Sequence, residues 1–378
     1  MKKWMMIPLS LVFLAPLAAE PAPTPAEVRI SQARKALERA PDLARPHVDL
    51  ALAYTRRARE TADSAFYQKA HESLDRALEI APDDYAARRI RTWALLGQHE
   101  FAQALDLARA LNDQAPDDVL VYGFLADALV ELGRYEEAAD AVQWMLDLRP
   151  GNVPALTRAA YLRELHGFDD GAVDFLRKAF DRTPPNERED RAWIMVQIAH
   201  VERQRAELDA ADEAVAAALR LFPGYHYALA EKGRILLDRG RPAEASAALE
   251  QRYEAAPHPE NLYELGRALD AAGESERAAE AYARFEREAL AESDSWDNAN
   301  RELVDYYVEV AGDTEKAVAL ASRELERRQD VFTRAALGWA LYKAGEQEKA
   351  RDHFRATREM GVLDARIRER AEIVLGDS

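Results

Sequence analysis

The chain has 378 residues, no cysteine, a net charge of −17 and alanine at about one position in five. The lack of cysteine excludes disulfide scaffolds, thiolate metal sites, cysteine nucleophiles and acylated cysteine anchors, and 68 acidic against 51 basic residues argue against a nucleic-acid-binding face. A hydrophobic content of 48% is too high for a disordered chain. Ala, Leu, Glu and Arg dominate, and all four are strong helix formers, so the composition points to an acidic, soluble, all-α protein. The length alone allows two or three ordinary domains.

The first element is an address. Lys2 and Lys3 precede an apolar run of about 14 residues that ends in the small residues Ala18 and Ala19, the tripartite pattern of a secretory signal peptide. The run is shorter than the roughly 20 residues that span a bilayer, and Pro8 and Pro16 interrupt it. Residues 1–19 are therefore expected to be removed, after Ala19 or Ala18, leaving a mature charge of −19, an exported periplasmic or extracellular protein and no stable membrane insertion. Residues 20–25 form a flexible leader, and 26–42 hold a lone helix that caps the N-terminal end.

From there the chain keeps a ruler. Pro82, Pro116, Pro150 and Pro184 are each 34 residues apart, as are Pro223 and Pro257. The 39-residue gap from Pro184 to Pro223 places an insertion within 185–191. Most of these prolines close an apolar helical stretch, because proline lacks the N–H and clashes with the preceding turn. Glycines keep a second ruler: Gly133 and Gly167 are 34 apart, and Gly240 and Gly273, like Gly312 and Gly345, are 33 apart. They stand between two helical stretches, where a left-handed backbone is needed. Five residues after each comes alanine, at Ala138, Ala172, Ala245, Ala278, Ala317 and Ala350, small enough to let two helices approach.

The cleanest unit, 119–152, carries Tyr122, Leu125-Ala126, Leu129, Leu132-Gly133-Arg134-Tyr135, Ala138 and Pro150. With Leu265-Gly266 and Leu337-Gly338, this pattern resembles the tetratricopeptide repeat, and the resemblance spans nearly the whole mature chain. Nine repeats are expected, at 43–84, 85–118, 119–152, 153–191, 192–225, 226–258, 259–297, 298–330 and 331–364, and 365–378 hold a C-terminal capping helix. The last two repeats lack the closing proline, having Gln329 and Val362, and 293–300 is a polar insert around Trp296. The stretch 331–365 resembles the ending of a group of exported bacterial repeat proteins. The resemblance implies a right-handed superhelical solenoid of antiparallel helix pairs, with the first helix of each pair lining a concave groove.

The family pattern also implies which side chains face that groove. Twelve are expected to bind: Arg158, Tyr161, Trp193, Gln197, His200, Arg203, Tyr227, Arg234, Tyr263, Arg267, Tyr306 and Trp339. Arg, Tyr and Trp are the residue types enriched at binding hot spots. Arg158, Arg203, Arg234 and Arg267 would make the groove locally positive, suited to an extended or helical peptide with acidic and apolar side chains. The alternative is that the aromatics pack under neighbouring repeats and the arginines pair with Glu. The family's carboxylate clamp for chaperone tails requires Asn on the first helix, and the corresponding positions have none.

No chemistry stands out. No two of the eight histidines are spaced as a zinc-binding pair, and no phosphate loop or nucleophile elbow occurs. His226, in Tyr225-His226-Tyr227, reads as a turn residue. Asp83-Asp84, Asp117-Asp118 and Asp169-Asp170 read as helix caps. The expectation is a non-enzymatic scaffold without cofactor or metal, binding an unidentified protein or peptide of the cell envelope. Homo-oligomerisation is the alternative, and a groove-based ligand-binding or catalytic protein ranks below it.

Overall fold

The computed structural model describes residues 23–295 and 298–376, so the signal segment, most of the leader and Trp296 lie outside the described residues. All described secondary structure is helical. Helix α1 (Pro25–Arg39) starts with a reciprocal cap, in which the Glu27 N–H donates to the Thr24 hydroxyl and the Thr24 N–H to the Glu27 carboxylate. Antiparallel hairpins follow, each with an inner and an outer helix. They are α2 (Ala44–Thr61) with α3 (Ala65–Ile80), α4 (Tyr85–Gly97) with α5 (Phe101–Gln114), α6 (Val119–Glu131) with α7 (Tyr135–Leu148), and α8 (Val153–Leu165) with α9 (Asp169–Arg182). Then come α10 (Arg188–Gln204) with α11 (Leu208–Leu221), α12 (His226–Asp238) with α13 (Pro242–Ala255), and α14 (Pro259–Ala271) with α15 (Ser275–Glu292). Helix α16 (Asn300–Tyr306) runs on through a π-turn, Tyr307–Ala311, and pairs with α17 (Thr314–Arg327). Helix α18 (Val331–Lys343) pairs with α19 (Gln347–Met360), and α20 (Ala365–Leu375) covers the last hairpin.

The rulers have local causes. Gly133, Gly167, Gly240, Gly273, Gly312 and Gly345 all take positive φ at the tip of a hairpin. Where the glycine ruler skips, the same backbone is adopted by His99 and Ala206, each 34 residues before a ruler glycine, and by Ala62. The alanines of the outer helices are essentially fully buried. Inner-helix glycines do the complementary work. A Cβ on Gly266 would lie 2.6 Å from the Tyr282 ring. Asp84, Asp118, Asn152, Asp330 and Asp364 each accept from backbone N–H groups at the start of a helix, satisfying orphan donors. Asp169 and Asp170 fall in the first turn of α9, after Phe168, and both pair with Arg205.

An ordinary repeat stack touches only its neighbours in sequence. Here the superhelix is wound tightly enough that its turns touch. At the first seam, Glu187 binds Arg29 of α1 at 2.8 Å, and Glu189 and Asp190 bind Arg59 of α2. All three carboxylates fall within the 185–191 insertion, Glu187 as the N-cap residue of α10 and Glu189 and Asp190 in its first turn. The His226 ring nitrogen donates to the Arg59 carbonyl across the same seam. At the second seam, the Gln329 N–H donates to the Glu131 carbonyl at 2.9 Å, and the Val331 N–H to the Tyr135 hydroxyl at 2.7 Å. A Cβ on Gly133 would strike the Gln329 carbonyl at 2.6 Å, so glycine is required there by contact as well as by φ. At the third, the Ala365 N–H donates to the Gln204 amide oxygen at 3.2 Å.

Candidate functional site

The inner helices divide the concave face into two stretches. Along α10, α12 and α14 the charges satisfy one another. Glu231 of α12 is 1% exposed and collects Arg203 at 2.5 Å, Arg234 at 3.1 Å and the His200 ring at 3.7 Å. His200 is 2.9 Å from Glu164 of α8. Arg234 continues to Glu264 of α14 at 2.5 Å, and Arg252 of α13 binds Glu264 from the other side. Burial alone would lower the His200 pKa, but Glu164 and Glu231 overcome it and hold the imidazolium up to about 10. Burial likewise pulls Glu231 upward, and His200, Arg234 and Arg203 reverse it, holding the carboxyl well below its usual range. Further along, Asp305 binds Arg366 at 2.8 Å and Arg370 at 2.9 Å, and Glu309 binds Arg370 and the Trp339 indole N–H.

Along α4, α6, α8 and α10 the face is hollow. Two adjoining cavities of about 290 and 310 Å³ share a wall made by Asp127, Glu131, Arg158 and Tyr161. Trp93, His99 and Phe101 line the first, and Trp193, Gln197 and Glu164 the second. The charged residues of this slot are paired: Asp127 with Arg158 at 2.5 Å, Glu131 with Arg328 at 2.5 Å, and Glu164 with His200. The Arg328 guanidinium also lies 5.2 Å over the Phe101 ring, so the second seam borders the first cavity. By contrast, Trp93, Tyr161, Trp193 and Gln197 make no side-chain hydrogen bond among the described residues. Burial pushes the Tyr161 hydroxyl well above its ordinary pKa, so it stays a donor.

A larger cavity of about 490 Å³ lies on the outer side, between α9 and α11, with Met195 and Ile198 of α10 as its floor. Its rim residue Arg177 reaches Glu202 at 3.5 Å, and its one ring, Phe180, is covered by Arg191 at 3.8 Å. Its other charged residues, Asp181, Glu213 and Arg220, are exposed and make no ion pair among the described residues.

The twelve residues expected to bind fall into three groups. Arg158, Tyr161, Trp193 and Gln197 line the slot. His200, Arg203 and Arg234 belong to the ion-pair ladder. The expectation of a positive groove is corrected here: Arg158, Arg203 and Arg234 are each matched by a carboxylate from this chain, and of the four arginines Arg267 alone is exposed without an ion pair to a described residue. Tyr263, Tyr306 and Trp339 are buried and do pack between helices. Tyr263 lies 5.3 Å from the Phe285 ring, Tyr306 5.7 Å from the same ring, and Trp339 beneath Arg370 at 4.9 Å. Tyr227 is half-buried against His226, with ring centroids 4.0 Å apart. His226 stands at the first position of α12 and is buried there, and burial lowers its pKa to about 4.

Sequence reasoning missed the carboxylates that organise this face, Glu131, Glu164, Glu231 and Glu264. One signal was present: Glu231 and Arg234 are three apart on one helix and therefore share a face. The partners from other helices carried no local signal.

No group of three or more His, Asp or Glu side chains is placed to hold a metal ion among the described residues. No described helix is long and apolar enough to cross a membrane. No curated protein matches the chain in sequence. The tetratricopeptide repeat family matches at residues 95–158, 196–261 and 231–295. Among solved structures, the human IFIT1 dimer with m7Gppp-AAAA is similar at 14% identity and a TM-score of 0.57, over 89% of this chain and 77% of that one. The APC/C hetero-tetramer Cut9–Hcn1 is similar at 13% identity and a TM-score of 0.54, over 92% of this chain. The chain spans 59% of the Cut9–Hcn1 chain it matches. At such identities these likenesses speak to the fold alone. Left-handed hairpin tips, buried alanines at a fixed offset, repeated family matches and a shared solenoid fold converge: the chain belongs to the tetratricopeptide repeat proteins, a fold that serves protein–protein interaction.

Proposed function

We propose that this protein is an exported, non-enzymatic scaffold of the cell envelope that binds a protein or peptide in the concave slot between α4 and α10. The observation that carries this reading is the slot itself, in which Trp93, Tyr161, Trp193 and Gln197 line a hollow and make no hydrogen bond within the described chain. Tyr and Trp supply large contact areas at low entropic cost, and such anchors dominate binding energies. The ion-paired stretch is the poorer candidate, because a ligand there would have to displace contacts that the protein already makes. The export half of the reading rests on Lys2, Lys3 and the apolar run after them. Two measurements test the proposal. Cell fractionation should find the chain outside the cytoplasm, shortened by about 19 residues. Affinity capture from envelope extracts should recover a partner with the native protein and lose it with Trp93→Ala/Trp193→Ala at unchanged helical content. Capture that survives that double variant sinks the slot.

A second reading, self-association, is favoured by a different patch. Trp144 of α7 is 56% exposed and stacks on Tyr122 at 6.3 Å, and Leu120 and Leu148 are also exposed. Light scattering that reports a monomer at tens of micromolar removes this reading.

A further inference from the structure

Taking the slot as the binding site, the charges and rings of its lining narrow what it holds. The charged residues that line the two cavities are Asp127, Glu131, Glu164 and Arg158, three carboxylates to one guanidinium. Arg158 is spent on Asp127, donating to both carboxylate oxygens. The cations that hold the other two carboxylates, Arg328 and His200, are not among the lining residues, and each engages one oxygen: Glu131 Oε2 and Glu164 Oε1. Glu131 Oε1 and Glu164 Oε2 accept no hydrogen bond from a described residue. Glu164 is 7% exposed, so its spare oxygen has little water to turn to. Burial, and then the charges of Glu131, Asp330 and Glu164, push the Tyr161 hydroxyl up, as a negative field would.

The rings agree with the charges. Elsewhere the chain covers rings with its own cations: Trp339 lies under Lys343 and Arg370, Phe180 under Arg191 and Phe101 under Arg328. Trp93, Tyr161 and Trp193 are half-buried in the cavity walls, and no described cation lies over them. Arg328 shows the geometry that such a ring and a carboxylate favour. Its guanidinium binds Glu131 Oε2 at 2.5 Å while lying 5.2 Å over the Phe101 ring. Each cavity repeats that pair of partners without a cation of the chain, with Trp93 and Glu131 in the first and Trp193 and Glu164 in the second.

We infer that the slot from Trp93 to Trp193 takes a basic segment of a partner protein, with one arginine or lysine side chain in each cavity. Each cation lies against an indole and donates to a spare carboxylate oxygen, that of Glu131 in the first cavity and that of Glu164 in the second. Arginine suits the pair better than lysine, because its planar guanidinium stacks on a ring and still donates in its own plane. This reverses the acidic peptide that a positive groove would take. The net charge of −17 also draws a basic segment toward the protein. A neutral peptide or glycan could meet the same donors and acceptors, but it would leave the excess of carboxylates uncompensated away from water. An acidic segment would add to that excess.

The test is fluorescence polarisation with the purified protein at about 150 mM salt, where long-range attraction between exposed charges is screened. The probes are a labelled (Ala-Arg)₄ peptide, the same peptide with citrulline for every arginine, the same with glutamate, and maltohexaose as a competitor. Citrulline keeps the planar shape of arginine and removes its charge. The expected result is saturable binding of the arginine peptide, weakened about tenfold or more by the citrulline exchange, by Trp93→Ala or Trp193→Ala, and by Glu164→Gln. The glutamate peptide should not bind, and maltohexaose should not compete. Glu276→Gln/Glu280→Gln removes two exposed charges from the outer helix α15 and should leave binding within about twofold. Circular dichroism should show each variant as helical as the parent. Equal binding of the citrulline or glutamate peptide, competition by maltohexaose, survival of binding in both Trp→Ala variants, an equal loss in the α15 variant, or no binding of the arginine peptide each overturns the inference. If the arginine peptide fails while slot-dependent capture from envelope extracts persists, the scaffold reading stands and only this inference falls. If capture is also independent of the slot, both fall.

Discussion

The two stretches of the concave face use the same helix positions for opposite ends. From α10 to α14 the inner helices carry His200, Arg203, Arg234, Glu231 and Glu264, and each charge finds its counter-charge within the protein. From α4 to α10 they carry Trp93, Tyr161, Trp193 and Gln197, which line a hollow and bond to nothing else in the described chain. A repeat fold supplies the positions, and the residues placed there decide whether a stretch stabilises the stack or stays open to a ligand. Residue type alone does not separate the two, since arginine beside an aromatic is the mark of a binding face and equally of an internal ladder.

The sharpest break between the stretches is expected in stability. Glu231→Ala leaves three cations without their shared carboxylate in a buried site, and removing one partner of a buried ion pair costs about 3–5 kcal/mol. Thermal or urea unfolding followed by circular dichroism should record a loss of that size, while slot-dependent partner capture by folded protein is retained. A loss below about 1 kcal/mol, the level of a surface pair, would show that the ladder is not structural.

The two buried histidines give the next effect, with opposite signs. The folded pKa of His200 is raised from its ordinary value of 6.5 to about 10, so its stabilisation is full below pH 6.5 and fades as the pH climbs through 10. The folded pKa of His226 is lowered to about 4, so its stabilisation is present above pH 6.5 and fades as the pH falls through 4. Each contributes on the order of 3–5 kcal/mol over its window, His200 the more. His226→Gln should flatten the acid limb of a stability–pH curve and leave the alkaline limb, and His200→Gln should do the reverse. If both substitutions flatten the same limb, one of the two environments is misassigned.

The periodic part of this molecule was legible because each ruler residue has a local task. A glycine at a hairpin tip answers to φ, and an alanine five residues later answers to the helix beside it. Even so, the glycine ruler missed three tips, since Ala62, His99 and Ala206 take the left-handed backbone without being glycine. Nothing local announced the seams. Glu131 meets Arg328 across 197 residues, and Arg59 meets Glu189 across 130. The insertion at 185–191 could be seen as a break in period, but not as the place where Glu187, Glu189 and Asp190 tie the fifth hairpin to the first. The site was half legible for the same reason: which residues face inward follows from the repeat, whereas which inward arginines are already paired depends on helices elsewhere in the chain.

The second seam offers a smaller test of how far the slot depends on the winding. Arg328→Ala removes the ion pair to Glu131 and the cover over Phe101 and leaves the Gln329–Glu131 backbone bond. The expected loss of stability is about 1–3 kcal/mol, the cost of an unmatched buried polar group. Small-angle scattering should report a larger radius if this seam holds the turns together. An unchanged radius with weakened peptide binding would assign Arg328 to the slot and not to the winding.

The smallest expected effect is the most discriminating. Gln197 lies on α10, where the two stretches meet, one helical turn before His200. Its amide lines the slot and bonds to nothing else among the described residues, so Gln197→Ala should change stability by less than about 0.5 kcal/mol. If the amide meets a ligand carbonyl, the same substitution weakens binding by about 0.5–1.5 kcal/mol, a severalfold change in dissociation constant that polarisation can resolve. Loss of binding without loss of stability marks Gln197 as part of the open stretch. Loss of stability without loss of binding would move the border of the ion-paired stretch one turn toward α8 and leave Trp193 as the last residue of the slot.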